Sequence, residues 1–152
     1  MERPAWRGVI LRRWTRPSRD YWSMRPTQQY YIPEFCTVRV PKRREAYELP
    51  KAGARWHDTS PFATARRALW EEAGVWLGWR DPGTFAWVDS EGELLHNAEP
   101  WISSWVLADL SWDGDMCERV SHHWLALDEF LDLSNRDDHA KVLTRTMHRQ
   151  LW

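Results

Sequence analysis

The chain has 152 residues, of which 43% are hydrophobic and 28% are charged, and its formal net charge is −1. This length and composition predict one globular domain over residues 1–152, with a core that needs neither disulfides nor a structural metal. No apolar run approaches the roughly twenty residues that a membrane-spanning helix needs, and two isolated cysteines exclude a disulfide framework and indicate a reducing compartment, the cytoplasm or an organelle matrix.

Three strands are predicted in the first third of the chain. Apolar and β-branched clusters bounded by Pro and Gly place them at about Val9–Trp14, Cys36–Val40 and Ala46–Leu49. The Pro-bearing segment Arg16–Pro33 is interpreted as a loop, with room for a short extended piece at Tyr30–Ile32.

A helix is predicted from Pro61 to about Ala73. Ser60 followed by Pro61 is a helix-start signal, a capping residue followed by proline at the first helical position. Gly74 is the expected C-terminal stop. Apolar residues at steps of three and four predict a core-facing stripe, so the adjacent Glu71 and Glu72 project together from the neighbouring face.

Strands and a helical region are predicted for the second half. The strands lie at about Thr84–Val88, Trp101–Leu107 and His122–Leu125. The helical region begins near Asp128, breaks at Ser134–Asn135 and continues from Asp137 to Gln150. Strands, an embedded helix, more strands and a terminal helix predict an α/β (α+β) fold with a mixed β-sheet sandwiched between helices.

Charge is distributed unevenly along the chain. Residues 1–51 have a net charge of +7 and the remainder −8, and eighteen of the 21 basic residues are arginine. The basic residues alternate with strand-like apolar ones, which favours a sheet face or a phosphate-binding wall over a disordered nucleic-acid arm. Nucleic-acid binding stays open as an alternative, because a basic stripe is only an electrostatic footprint.

Glu71 and Glu72 follow a glycine-bearing loop at the end of the predicted helix. Two fixed carboxylates near such a loop suggest a magnesium site, because Mg²⁺ takes oxygen ligands and is usually shared with substrate phosphates. Adjacent glutamates on a helix are otherwise a solvated surface.

The segment from Gly53 to Val75 resembles the Nudix box, G-x5-E-x7-R-E-U-x-E-E-x-G-U with U aliphatic. The matching residues, preceded by Leu-Pro-Lys, are Gly53, Arg67, Leu69, Glu71, Glu72, Gly74 and Val75. Residues 112–133, with Glu118-Arg119 and a Trp-led strand, resemble the diphosphoinositol polyphosphate phosphohydrolase branch. The resemblance implies the Nudix fold and a hydrolase of diphosphate linkages that uses Mg²⁺ or Mn²⁺.

Two positions depart from the box. Thr59 replaces the first glutamate, which in the family pairs with the box arginine, so Arg67 needs another partner and Glu71 is available four residues on. Ala68 replaces the glutamate that supplies a metal ligand or helps activate water. The resemblance therefore implies one retained metal, a weakened or lost second one, and reduced activity.

Site residues follow from the resemblance. Glu71 and Glu72 are the implied catalytic residues and metal ligands, and Glu118 is the implied third ligand, with Asp113 and Asp115 as alternatives. Arg67 and Gly74 have structural roles. The implied substrate-binding residues are Arg39, Arg44, Lys51 and Gly53.

Two aromatic pairs are assigned structural roles. Adjacent strand residues point to opposite faces, so His122 and His123 are not expected to bind one metal ion. Trp56 and His57 are expected to pack the loop, with stacking on a base or sugar as the alternative.

Three functions remain open. The first is hydrolysis of a nucleoside diphosphate derivative, a dinucleoside polyphosphate or a diphosphoinositol. The second is a catalytically weak or inactive Nudix-fold module that binds or assembles on nucleotide or RNA, since folds outlive their chemistry. Nucleic-acid binding could accompany either, and the sequence leaves a homodimer open.

Overall fold

The fold is a mixed β-sheet with helices on both faces. A computed structural model describes residues 5–15, 32–41, 46–77, 85–97, 99, 101–110, 116–118, 122–149 and 151. The predicted loop Arg16–Pro33 therefore lies outside the described residues except for its last two positions. No helix in the described part of the chain is long and apolar enough to cross a membrane.

Ten strands are described. In chain order they are β1 (Trp6–Thr15), β2 (Ile32–Arg39), β3 (Tyr47–Glu48), β4 (Lys51–Gly53), β5 (Val75–Leu77), β6 (Ala86–Asp89), β7 (Leu94–Leu95), β8 (Ser104–Asp109), β9 (Met116–Glu118) and β10 (His123–Ala126). Eight form one sheet of order β10-β2-β1-β8-β6-β7, with β3 on β2 and β4 on β1, while β5 pairs with β9. Strands β1 and β8 are parallel and the other pairs are antiparallel.

The predicted first helix is confirmed. It comprises α1 (Pro61–Ala68) and a π-helical turn (Leu69–Ala73). Ser60 caps α1, its side chain accepting a hydrogen bond from the backbone N–H of Ala63 at 3.1 Å. Gly74 ends the turn with φ 66°, a left-handed conformation that glycine adopts without steric cost. The helical region near the C-terminus divides as predicted, into α2 (Leu127–Leu133) and α3 (Asp137–Arg149).

Alternate residues of β1 contribute to two cores. Val9 and Leu11 pack with the stripe of α1 and the π-helical turn on one face of the sheet. Ile10 faces the other way and packs with the apolar residues of α2 and α3, among them Phe130 and Val142. This period of two is what buries both faces of a central strand, and it confirms the predicted sheet between helices.

Some strands differ from the prediction. Strand β2 begins at Ile32 and includes Pro33, which pairs with β1 alone because the pairing with β10 begins one residue later, at Glu34. Proline is tolerated at such an edge position, where its missing N–H breaks no second ladder. Strand β8 begins at Ser104, three residues after the predicted start. The short strands β4, β5, β7 and β9 were not predicted, since two or three residues cannot show a periodic pattern.

Candidate functional site

Strand β4 and the end of the first helix face one another across a cavity of about 530 Å³. Strand β4 is fixed by antiparallel pairing with β1, which places Gly53 opposite Trp6. The cavity is lined by Trp6, Lys51, Ala52, Gly53, Ala54, Arg55, Arg67, Glu71 and Glu72. Four residues that the resemblance implies for the site, Lys51, Gly53, Glu71 and Glu72, therefore lie around one cavity.

Arg67 joins the loop to the helix. Its guanidinium donates to the carbonyl oxygen of Gly53 at 2.7 Å and to both carboxylate oxygens of Asp58, at 2.7 and 3.2 Å. The Arg67 and Asp58 side chains are only 15% and 7% exposed. The sequence had offered Glu71 as the partner of Arg67. Glu71 is a secondary partner at 3.4 Å, and Asp58 is the main one.

Asp58 is a site residue that the sequence analysis missed. Its carboxylate also accepts the backbone N–H of Arg55 and the hydroxyl of Thr64, both at 2.8 Å. The hydrogen bond from Arg67, aided by these two donors, holds the pKa of Asp58 well below its usual range. The available signal was an aspartate next to Thr59, because a shift of one position in a loop can still bring a carboxylate to the same arginine.

Glu71 is engaged by two arginines. Arg55 contacts its two carboxylate oxygens at 3.1 and 3.5 Å, and Arg67 contacts it at 3.4 Å. The Glu71 side chain remains 40% exposed. Arg55 was not predicted as a site residue, and its guanidinium is within reach of both the cavity and a carboxylate.

Glu72 has a different environment. Burial raises its pKa, and the nearby charges of Glu48 and Glu71 raise it further. Among the described residues, no hydrogen bond or ion pair to the Glu72 side chain is found. Glu48, on β3, is a second carboxylate that the sequence analysis missed, since nothing but its charge distinguishes it within the predicted strand Ala46–Leu49. Glu72 therefore offers carboxylate oxygens to a cation, and the neighbouring charges of Glu48 and Glu71 are also negative.

Lys51 is the cation on the β4 side of the cavity. Its ammonium lies 4.9 Å from the centroid of the Trp6 ring, within the range of a cation–π contact. Burial is the largest cause of a lowered pKa at Lys51, and the charge of Arg136 adds to it. A cation held against an aromatic face at a cavity wall can contact an anionic ligand.

The remaining implied residues lie elsewhere or outside the description. Arg39 is exposed at the end of β2, opposite Tyr47, and does not line the cavity. Arg44, Asp113 and Asp115 lie outside the described residues. The backbone of Glu118 pairs with that of Val75, the residue after Gly74.

The expectation of loop packing for Trp56 is wrong. Its side chain is 96% exposed, with the His57 ring edge-on at a centroid distance of 5.4 Å. His122 and His123 make ring contacts with Trp124 and Tyr47, at 5.9 and 5.0 Å, which agrees with structural roles.

The donor set fits one hard divalent cation. Carboxylates are suitable ligands for Mg²⁺, which keeps several waters and needs one or two protein carboxylates beside substrate phosphates. Glu72 meets that need, and a cation there would neutralise the charge that raises its pKa. Within the described part of the chain, no three His, Cys, Asp or Glu side chains are gathered closely enough to hold a metal by themselves.

Several solved structures with a similar fold are Nudix proteins. A Nudix hydrolase of M. smegmatis, RenU, is 18% identical with a TM-score of 0.60, over 99% of this chain and 88% of that one. The Nudix domain of NrtR from Shewanella oneidensis, complexed with ADP-ribose, is 15% identical with a TM-score of 0.58, over 99% and 90%. The Ap4A hydrolase of C. elegans is 14% identical with a TM-score of 0.57, over 99% of both chains.

No protein-family model matches this chain, and no curated protein matches it significantly. The likeness is one of architecture, and it extends over nearly the whole length. The protein has the Nudix fold.

Proposed function

We propose that this protein hydrolyses a diphosphate linkage in a nucleoside diphosphate derivative, a dinucleoside polyphosphate or a diphosphoinositol. The supporting observation is that Glu71 and Glu72 lie in the same cavity as the cationic side chains of Lys51, Arg55 and Arg67. The fold likeness to an Ap4A hydrolase adds to this, and the resemblance of residues 112–133 keeps diphosphoinositols in the set.

We propose Mg²⁺ or Mn²⁺ as the cofactor, held by Glu72 and Glu71 with Glu118 as a third ligand. A divalent cation there would neutralise charge on the phosphoryl oxygens. Lys51 and Arg55 would contact the phosphate oxygens, since guanidinium and ammonium groups bind phosphate by charge-assisted hydrogen bonds. Arg67 would hold the loop in place through Gly53 and Asp58.

Reduced activity is part of the proposal. Ala68 has no carboxylate to offer, and Glu71 must leave two guanidinium partners before it can bind a cation. When a phosphate attracts Arg55, that release becomes easier, which couples substrate binding to the availability of Glu71.

A substrate panel tests the proposal. The purified protein is incubated with Mg²⁺ or Mn²⁺ and ADP-ribose, diadenosine polyphosphates, nucleoside triphosphates, capped RNA or diphosphoinositols. We expect slow turnover of one class that disappears in Glu72→Gln and persists in Asp132→Asn, a matched substitution of an exposed carboxylate on α2. Calorimetric titration with Mg²⁺ should give heat with wild type and little with Glu72→Gln, and identical heats would contradict the metal assignment.

A binding module is the second candidate function. The observation that favours it is the engagement of Glu71 by Arg55 and Arg67, together with Ala68 in place of a third carboxylate. Binding of a nucleotide or of RNA without turnover across the whole panel would identify the module and reject the hydrolase.

We further propose that residues 1–152 form one domain acting in a reducing compartment such as the cytoplasm, where the buried thiol of Cys36 stays free.

A further inference from the structure

Trp56 is the most exposed large hydrophobic side chain in the described part of the chain. Its exposed fraction is 96%, against 69% for Trp101 and 51% for Trp14. An indole ring has a large apolar area that is normally buried. Because the Trp56 ring is almost fully exposed, it adds little to the stability of the fold, and its apolar face is available to a ligand.

The turn that bears Trp56 is closed on both sides. The backbone N–H of Asp58 donates to the carbonyl oxygen of Arg55 at 2.9 Å, and the N–H of Arg55 donates to the Asp58 carboxylate at 2.8 Å. Asp58 is itself fixed by Arg67 and by the hydroxyl of Thr64. Trp56 and His57 are therefore the two central residues of a turn that is anchored to α1.

This turn adjoins the cavity through its first residue, Arg55. Arg55 lines the cavity, and the Cα atom of the next residue, Trp56, lies about 3.8 Å further along the chain. A diphosphate contacted by Lys51 and Arg55 would thus leave the attached group close to the indole ring. Cationic groups of the cavity would bind the phosphates of a nucleotide, and the aromatic ring next to Arg55 would bind its base.

The surroundings of Trp56 favour a single flat ring over a protein surface. Its neighbours in the turn are Arg55, His57, Asp58 and Thr59, all polar. Protein interfaces bury contiguous patches with an apolar centre, whereas one indole between polar residues of its own turn offers an aromatic face about the size of one base.

We infer that Trp56 is the stacking platform for the base of a nucleoside diphosphate whose phosphates occupy the cavity. The inference rests on the proposed function and selects nucleotides over diphosphoinositols within it, because an inositol ring has no aromatic face. His57, edge-on to the indole, limits the positions that the Trp56 ring can take.

Calorimetry with two ligands tests the inference. ADP has a base and inorganic pyrophosphate has none, and each is titrated into the protein with Mg²⁺ present. Stacking on one aromatic ring is worth enough that Trp56→Ala should weaken ADP binding by about tenfold, and pyrophosphate binding should stay within about twofold of wild type because no base is involved. Trp56→Phe keeps an aromatic face and should retain most of the ADP affinity.

Trp14→Ala is the matched control, since Trp14 is also exposed but lies eight residues along β1 from Trp6, about 26 Å from the cavity at the usual rise of a strand. It should change neither affinity. In an NMR spectrum, the indole N–H resonance that Trp56→Phe removes should shift with ADP and not with pyrophosphate.

The outcomes separate the two claims. If wild type binds both ligands and Trp56→Ala weakens neither, or weakens both by the same factor, the stacking platform is rejected while the diphosphate site stands. If wild type binds neither ligand in the presence of Mg²⁺, the proposed function fails and the inference fails with it. Loss of pyrophosphate binding in Glu72→Gln, with Trp56→Ala normal, supports the site independently of the ring.

Discussion

At the scale of single residues, the candidate site depends on a carboxylate one position away from where the Nudix box has it. Asp58 accepts four hydrogen bonds, two of them from Arg67. A nearly buried, bidentate pair of this kind is worth far more than a surface ion pair, because removing one partner leaves the other charge desolvated. Asp58 therefore supplies the carboxylate partner of Arg67 that Thr59 cannot supply.

Asp58→Ala should lower the free energy of unfolding by about 3 kcal/mol, since it leaves the Arg67 guanidinium without its main partner. Chemical denaturation at pH 7 measures the loss. The double variant Asp58→Ala/Thr59→Glu returns a carboxylate to the position that the box specifies and should recover about half of it. A loss below about 0.5 kcal/mol in Asp58→Ala would show that the pair is only a surface contact.

The pH dependence of this loss has a definite sign. The pKa of Asp58 is lower in the folded than in the unfolded protein, so its contribution is complete above the ordinary aspartate range and is lost as the pH falls through the folded-state pKa. The stability difference between wild type and Asp58→Asn should therefore be constant from neutral pH to about pH 5 and shrink below about pH 4.

Glu72 should affect stability in the opposite direction. Its pKa is raised in the folded state, so the ionised carboxylate opposes folding at neutral pH. Glu72→Gln should raise Tm at pH 7 by roughly 1–3 °C, a small effect because the side chain is only partly buried and solvent screens its charge. The gain should fade as the pH drops through the pKa of Glu72, where the native carboxyl is also neutral. Added Mg²⁺ should stabilise wild type more than the variant, and an unchanged Tm difference would contradict cation binding at Glu72.

At the scale of elements, local signals predicted the first helix well. Ser60, Pro61 and Gly74 each act through the backbone of their own turn, so the sequence nearby is sufficient to place them. Strand β4 has no such signal, because it is a strand only through its pairing with β1. The cavity lies between β4 and the end of the first helix. Its carboxylates, Glu71 and Glu72, were predicted because they belong to the helix. Arg55 and Asp58, which pair with Glu71 and Arg67, were not predicted because they belong to the loop that follows β4.

The same helix limits how the missing box glutamate can be restored. Ala68 is fully buried, so a glutamate there must push past covering atoms to reach the cavity. Ala68→Glu should lower stability by about 2 kcal/mol without metal, and excess Mg²⁺ should recover part of the loss if the new carboxylate reaches the cation.

Ala63→Glu is the matched control for this variant. It adds the same charge to the same helix at a partly exposed position, where Ser60 and a glutamate three residues later would complete a capping box. It should be neutral or slightly stabilising, with no dependence on Mg²⁺. Equal stability of the two variants in the absence of metal would show that Ala68 has space around it.

At the scale of the whole molecule, contacts between distant segments decide what the sequence alone could not. Arg7 is buried, and its guanidinium donates to the carbonyl oxygens of Glu99 and Ile102 and to the hydroxyl of Ser104. The charge pattern of the first third of the chain predicted that its arginines lie on a sheet face or a phosphate-binding wall. Arg7 instead binds the backbone of the loop that precedes β8. A guanidinium that binds backbone carbonyls has no complementary charge in the sequence to reveal it.

Gly8 shows the same dependence on the tertiary fold. A Cβ atom added there would lie 2.3 Å from two ring atoms of Trp105, a fully buried side chain that cannot move aside. Gly8→Ala should therefore lower the free energy of unfolding by about 3 kcal/mol in chemical denaturation. Gly53→Ala is the comparison, because a Cβ there meets no atom within 4 Å. It should leave stability unchanged and weaken pyrophosphate binding, since Gly53 lines the cavity in which we propose that the phosphates bind.

His139 links the C-terminal helix α3 to the connection between β3 and β4 and to strand β8. Its buried Nδ1 accepts the backbone N–H of Leu49 at 3.1 Å, and its ring lies edge-on to Trp105. Burial lowers the pKa of His139 from 6.5 to about 4. Between these two pKa values the unfolded chain binds a proton that the native protein does not bind. Stability should therefore fall as the pH drops from about 6.5 toward 4, by at most about 1.4 kcal/mol for each pH unit.

Denaturation of His139→Gln should show lower stability at pH 7 but a flatter pH dependence between about pH 6.5 and 4, whereas His148→Gln, at an exposed position on the same helix, should follow wild type. A wild-type profile that is level between pH 7 and 5 would contradict a lowered pKa at His139, because protonation at Nδ1 must break the hydrogen bond from Leu49.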